Sequence, residues 1–129
     1  MVEDKSDKIK FSFEYYDTRS DKYCISCWGK ERIKKSLERL RDINTKSFLD
    51  LSNGRNREVY HFAQVIWEKT IQKNGFPDLR VKNMAPFHFA LLGVNEQKAR
   101  VYGVYSSGTF YIIWFDLNHT IWPIKLKNT

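Results

Sequence analysis

The segment that most constrains this chain is Thr-Phe-Tyr-Ile-Ile-Trp-Phe-Asp at 109–116, which is apolar on both alternating faces. Simple alternation puts Tyr111, Ile113 and Phe115 on one side and Phe110, Ile112 and Trp114 on the other. A strand of that kind belongs at the centre of a sheet. Two more β-rich runs precede it, at 87–94 and 99–105, and Asn95-Glu96-Gln97-Lys98 and Ser106-Ser107-Gly108 between the runs suit hairpin loops. Together they predict a three-stranded antiparallel meander.

Upstream the period changes. Residues 8–16 alternate, with Ile9, Phe11, Phe13 and Tyr15 on one face, and read as a half-buried strand followed by a polar loop at 17–22. From Trp28 to Ile43 the apolar positions Ile33, Leu37, Leu40 and Ile43 recur at three and four, the stripe of an amphipathic helix, with Ser26 as its expected N-cap. Thr45 is expected to cap a second helix over 46–51, which Ser52-Asn53-Gly54 ends. Residues 58–75 are the least legible stretch: 59–62 suits the start of a strand, and 63–72 suits a helix. The expected fold class is α+β: an N-terminal strand, two or more helices, then the meander, as one sheet with helices on one face.

At 129 residues, without repeat or linker, the chain is expected to form a single domain over 1–129. No apolar run approaches the roughly 20 residues needed to cross a bilayer, and the first residues are too charged for a signal peptide. The expectation is a soluble, cytoplasmic protein without membrane contact.

Twenty-two Lys and Arg against fifteen Asp and Glu give a net charge of +7. A basic balance suits a polyanionic partner such as RNA or the ribosome, and it also suits an ordinary solvated surface. Over half of the excess lies between Lys30 and Lys46, where seven cations face three anions. Cys24 and Cys27 have Cys-x-x-Cys spacing, but His61, His88 and His119 lie 27 and 31 residues apart, unlike a zinc ligand pair. No metal or cofactor is expected.

Three constellations are candidates for chemistry. Asp116-Leu-Asn-His119 follows the central strand; His119 titrates near neutrality and suits general acid or base work, with Asp116 to orient it, while the same residues also suit a plain turn. Arg100 sits inside a strand and must find a carboxylate, a carbonyl or solvent; a pocket that holds a phosphate would satisfy it, since its planar fork matches phosphate, and an ion pair with Asp116 or another acid is the alternative. Arg80, Lys82, Lys125 and Lys127 supply cations for a nucleic-acid backbone, and Tyr102 and Trp122 are the aromatics expected to face solvent and stack on bases.

No Gly-x-x-x-x-Gly-Lys loop, Gly-x-Gly-x-x-Gly, Gly-x-Ser-x-Gly or His-Glu-x-x-His is present, so nucleotide hydrolysis, dinucleotide redox chemistry, serine hydrolysis and zinc proteolysis lose their usual signatures. The order strand, helices, meander resembles the RelE/ParE superfamily of bacterial toxins, whose RelE and HigB branches are ribosome-dependent messenger RNA endonucleases. The closest stretch is 89–122, with Arg100 in Ala-Arg-Val-Tyr-Gly, then Thr-Phe-Tyr-Ile-Ile-Trp-Phe and His119. The chain also looks like small proteins of bacterial mobile elements that share Phe-Ser-Phe-Glu-Tyr-Tyr-Asp and Tyr-Ile-Ile-Trp-Phe-Asp-x-Asn-His.

What the resemblance implies is a metal-independent endoribonuclease of a toxin–antitoxin or mobile-element system. Arg100 would stabilise the phosphate, His119 would act as acid or base, and Asp116 would be a weaker second participant. A cognate antitoxin is the implied protein partner. The rival reading on the same fold is a non-catalytic basic module that binds nucleic acid or protein. A third, an adaptor that oligomerises through an apolar sheet face, predicts a large exposed apolar patch.

Overall fold

The computed structural model describes residues 7–92 and 99–122, with backbone alone for Arg57 and Glu58. It is α+β. Strands β1 (Lys10–Ser12), β2 (Ala63–Gln64), β3 (Ala85–Ala90), β4 (Arg100–Ser106) and β5 (Thr109–Asp116) form one sheet in the order β1-β5-β4-β3-β2. Helices α1 (Lys30–Ile43), α2 (Phe48–Ser52) and α3 (Gly54–Tyr60) lie between β1 and β2 in the chain. Strands β3, β4 and β5 pair antiparallel in succession, but the sheet is larger than the expected meander and is mixed, because β1 runs parallel to β5 and β2 adds an antiparallel edge. The end of the expected 87–94 run and its loop at 95–98 lie outside the described residues.

The first strand is shorter than its alternation predicts. The Ser12 hydroxyl accepts from the Glu14 amide at 3.1 Å and Tyr16 N donates to Phe13 O at 3.0 Å, a local turn that competes with the ladder. Phe13 is thereby exposed, Tyr16 packs with the helices, and Tyr15 packs on Tyr111 across the sheet. The following chain keeps to the β5 edge: Asp17 N bonds Ile113 O at 3.2 Å and Phe115 N bonds Tyr23 O at 2.9 Å.

Helix α1 faces the core with Ile33, Ser36, Leu40 and Ile43; Leu37, expected in the stripe, is 60% exposed. At 100° per residue Leu37 falls on the rim of that face, whereas Ser36 falls within it and closes its hydroxyl on Arg32 O at 2.8 Å. Gly29, with φ of 86°, stands at the N-cap instead of Ser26. Helix α2 is capped by Ser47, not Thr45: Ser47 Oγ accepts from Asp50 N at 3.1 Å and Asp50 Oδ2 accepts from Ser47 N at 2.9 Å.

One register shift decides which side chains meet. Gly103 opposes Ile112 and Tyr102 opposes Trp114, so Ile113 is an extra residue in β5. Downstream of it the alternation flips. Phe110, Ile112 and Phe115 therefore pack with the helices, while Tyr111, Ile113 and Trp114 pack on the other face with Tyr23, Val65, Phe76, Val81, Tyr102, Val104 and Ile121. That second face is covered by the 65–84 segment, which contains only short helical turns, among them Trp67–Lys69 and Leu79–Val81. Among the described residues both faces of the sheet's middle strands are thus covered.

Candidate active site

The bulge turns Trp114 and Asp116 onto the face that carries Arg100 and Tyr102. Arg100 and Asp116 are directly paired across β4 and β5, as are His88 and Tyr102 across β3 and β4. The His88 ring stacks on Tyr102 with centroids 5.1 Å apart and planes 15° apart, and the Trp122 ring stands 5.3 Å from His88, tilted by 39°. Trp122 is half-buried there, and Tyr102 is fully buried, so Tyr102 is not the solvent-facing stacking residue that was expected. An inward-facing position on a middle strand with layers on both sides leaves its ring no route to water.

Asp116 organises the loop that follows. It is buried; Oδ2 accepts from Ile121 N at 2.7 Å and Oδ1 from the Thr120 hydroxyl at 2.9 Å. Ile121 is itself anchored, its carbonyl accepting from Ile71 N at 2.8 Å. Between these fixed points His119 takes a left-handed conformation with φ of 60° and is half-buried. Its Nδ1, like Nδ1 of His88, has no hydrogen-bond partner among the described residues.

The electrostatics follow from burial around one cation. Arg100 is 6% exposed, and one of its terminal nitrogens donates to Ala99 O at 3.2 Å. Burial lowers its pKa, and Tyr102 and Asp116 oppose that. His88 is pushed down to about 3, chiefly by burial and then by Arg100, His119 and His61. His119 is lowered by burial and Arg100, against its own backbone, Asp116 and the Trp122 backbone. His61, at φ of 52° after α3, is lowered by burial, Arg100 and Arg39. All three histidines of the chain are therefore neutral at pH 7 and feel the same guanidinium. A neutral imidazole can accept a proton, and a permanent cation beside it can stabilise developing negative charge.

Arg100, Asp116, His119, Tyr102 and Trp122 thus meet at one end of the sheet. Arg80 and Lys82 lie elsewhere. Arg80 is exposed, forks onto Asp78 and stacks 4.8 Å over the Tyr15 ring. Lys82 is exposed and donates to Asn74 O at 2.7 Å. Lys125 and Lys127 lie outside the described residues. Sequence reasoning weighed His88 and His61 only as zinc ligands; the signal for His88 was its place in Phe-His-Phe, two strands from Asp116. Among the described residues no group of three or more His, Cys, Asp or Glu is placed to hold a metal ion. Compared with known proteins, the chain matches no family model, no curated protein and no solved structure.

Proposed function

We propose that this protein is a metal-independent endoribonuclease of RelE-like type, a cytoplasmic toxin of a toxin–antitoxin or mobile-element system that cuts messenger RNA on the ribosome. The observation that carries the reading is the meeting of Arg100, Asp116 and His119 at one end of the sheet, with His119 held neutral beside the guanidinium. In this reading His119 takes the proton of the ribose 2′-hydroxyl, and that oxygen attacks the adjacent phosphorus. Arg100 stabilises the phosphorane charge, and solvent protonates the departing 5′ oxygen. The products are a 2′,3′-cyclic phosphate and a 5′-hydroxyl end. Asp116, with both oxygens committed to Thr120 and Ile121, is a positioning residue. The antitoxin implied is an acidic protein whose charge matches the exposed Lys30, Lys34, Lys35 and Arg41 of α1.

A second reading, a non-catalytic basic binding module, is favoured by the burial of Arg100 at 6% exposure. A buried guanidinium on a central strand is also what a structural polar keystone looks like. The two separate in one assay: purified protein with end-labelled messenger RNA, with and without ribosomes, in excess EDTA. The ribonuclease reading expects cyclic-phosphate ends that fall by about 10²–10⁴ in rate in His119→Ala. Absence of cleavage in both conditions, or cleavage that His119→Ala leaves unchanged, favours the binding module.

A further inference from the structure

A cleft of about 600 Å³ opens between the 15–20 turn and the 77–80 segment, lined by Tyr15, Tyr16, Asp17, Arg19, Asp78 and Arg80 among others. That size lies in the range of small-molecule sites. Its walls are held in place from behind. Asp17 Oδ2 accepts from the Trp114 indole at 2.7 Å and Oδ1 from Arg19 N at 3.1 Å. Asp78 receives Arg80 Nε at 3.1 Å and a terminal nitrogen at 2.7 Å, which lays the guanidinium over Tyr15, whose ring is 5.0 Å from Tyr111 with the planes tilted by 40°.

The four charges cancel, two arginines against two aspartates, so the cleft offers a free anion little. It offers the exposed Arg80 guanidinium, backed by Tyr15, beside the carboxylate lone pairs and guanidinium N–H groups that these internal bonds leave over, the complement of a planar heterocycle whose edge carries both N–H and C=O groups. We infer that this cleft takes a single unpaired nucleobase, its face on the Tyr15 and Arg80 stack and its edge toward Asp17. The inference rests on the RNA reading for its ligand class. Ile113 also lines the cleft, and the three residues from it to Asp116 span about 10 Å of strand. A base held here would fix which phosphate lies over Arg100 and His119.

The test titrates the full chain with adenosine, guanosine, cytidine and uridine, following Trp fluorescence and amide NMR shifts, with inorganic phosphate as competitor. At least one nucleoside should bind saturably, and Tyr15→Leu and Arg80→Ala should each weaken it by about tenfold. Tyr15→Phe, which keeps the ring, and Lys73→Ala, which removes an unrelated surface cation, should stay within about twofold. Failure of all four nucleosides to saturate, displacement by inorganic phosphate, or unchanged binding in Arg80→Ala overturns the assignment. Nucleoside binding without RNA cleavage keeps the cleft and removes the ribonuclease reading; cleavage without nucleoside binding does the reverse.

Discussion

His88 carries no charge at neutral pH, and that state has a thermodynamic consequence. Its folded-state value of about 3 lies below the ordinary 6.5, so between these limits the unfolded chain binds a proton that the native ring refuses. Stability is then complete above about pH 6.5 and falls as pH drops toward 3, on the order of 1 kcal/mol per pH unit from this residue. His61 and His119 are shifted the same way and add to the trend. In urea melts between pH 7.5 and 4, His88→Phe should flatten the acid limb and be more stable than the wild type near pH 5. An unchanged acid limb contradicts the burial argument. At Asp116 the expected cost is structural as well as functional: Asp116→Ala strands the buried Ile121 amide, and a loss of about 1–3 kcal/mol in the same melts is expected. Arg100, Asp116 and His119 were legible as candidates because each stands out beside a strand by its chemistry. His88 was not, because its meaning comes from cross-strand pairing with Tyr102, which no local pattern encodes.

At the scale of elements the bulge at Ile113 is the device that builds the site. Without the extra residue, Trp114 and Asp116 would face the helices, and Asp116 would be buried among apolar side chains. Gly103 permits the close strand approach beside it. A Cβ there meets the Tyr111 carbonyl oxygen and comes within 2.7 Å of the Phe110 ring. Gly103→Ala should therefore destabilise by on the order of 2–4 kcal/mol and change RNA cleavage and nucleoside binding together, since it shifts the register that aligns both. A variant with wild-type stability would show that the strands have slack. Alternation marked β5 as an interior strand, although the centre of the sheet is β4, and a period of two carries no notice of one inserted residue. The Ser47-x-x-Asp50 capping box was readable, and Thr45 drew attention from it; Thr45 instead donates to Asp42 O at 2.6 Å.

For the whole molecule, the α+β class and the succession β3, β4, β5 were legible, because three strongly β-rich runs with short connections leave few arrangements. The parallel pairing of β1 with β5 was not, since it joins residues about 100 positions apart and rests on three residue pairs. Nor was the cover on the second sheet face, whose segment at 65–84 lacks a sustained period of either kind. At that end of the sheet Arg100 and Asp116 are buried and His119 is half-buried. The most direct measurement is growth of a bacterial host on induction, with 5′ ends of total RNA mapped early, for wild type, His119→Ala and Arg100→Ala, each checked for wild-type melting. The account predicts arrest with new cleavage ends in the wild type, and loss of both in the two folded variants. Normal growth, or arrest without cleavage that neither substitution changes, contradicts it.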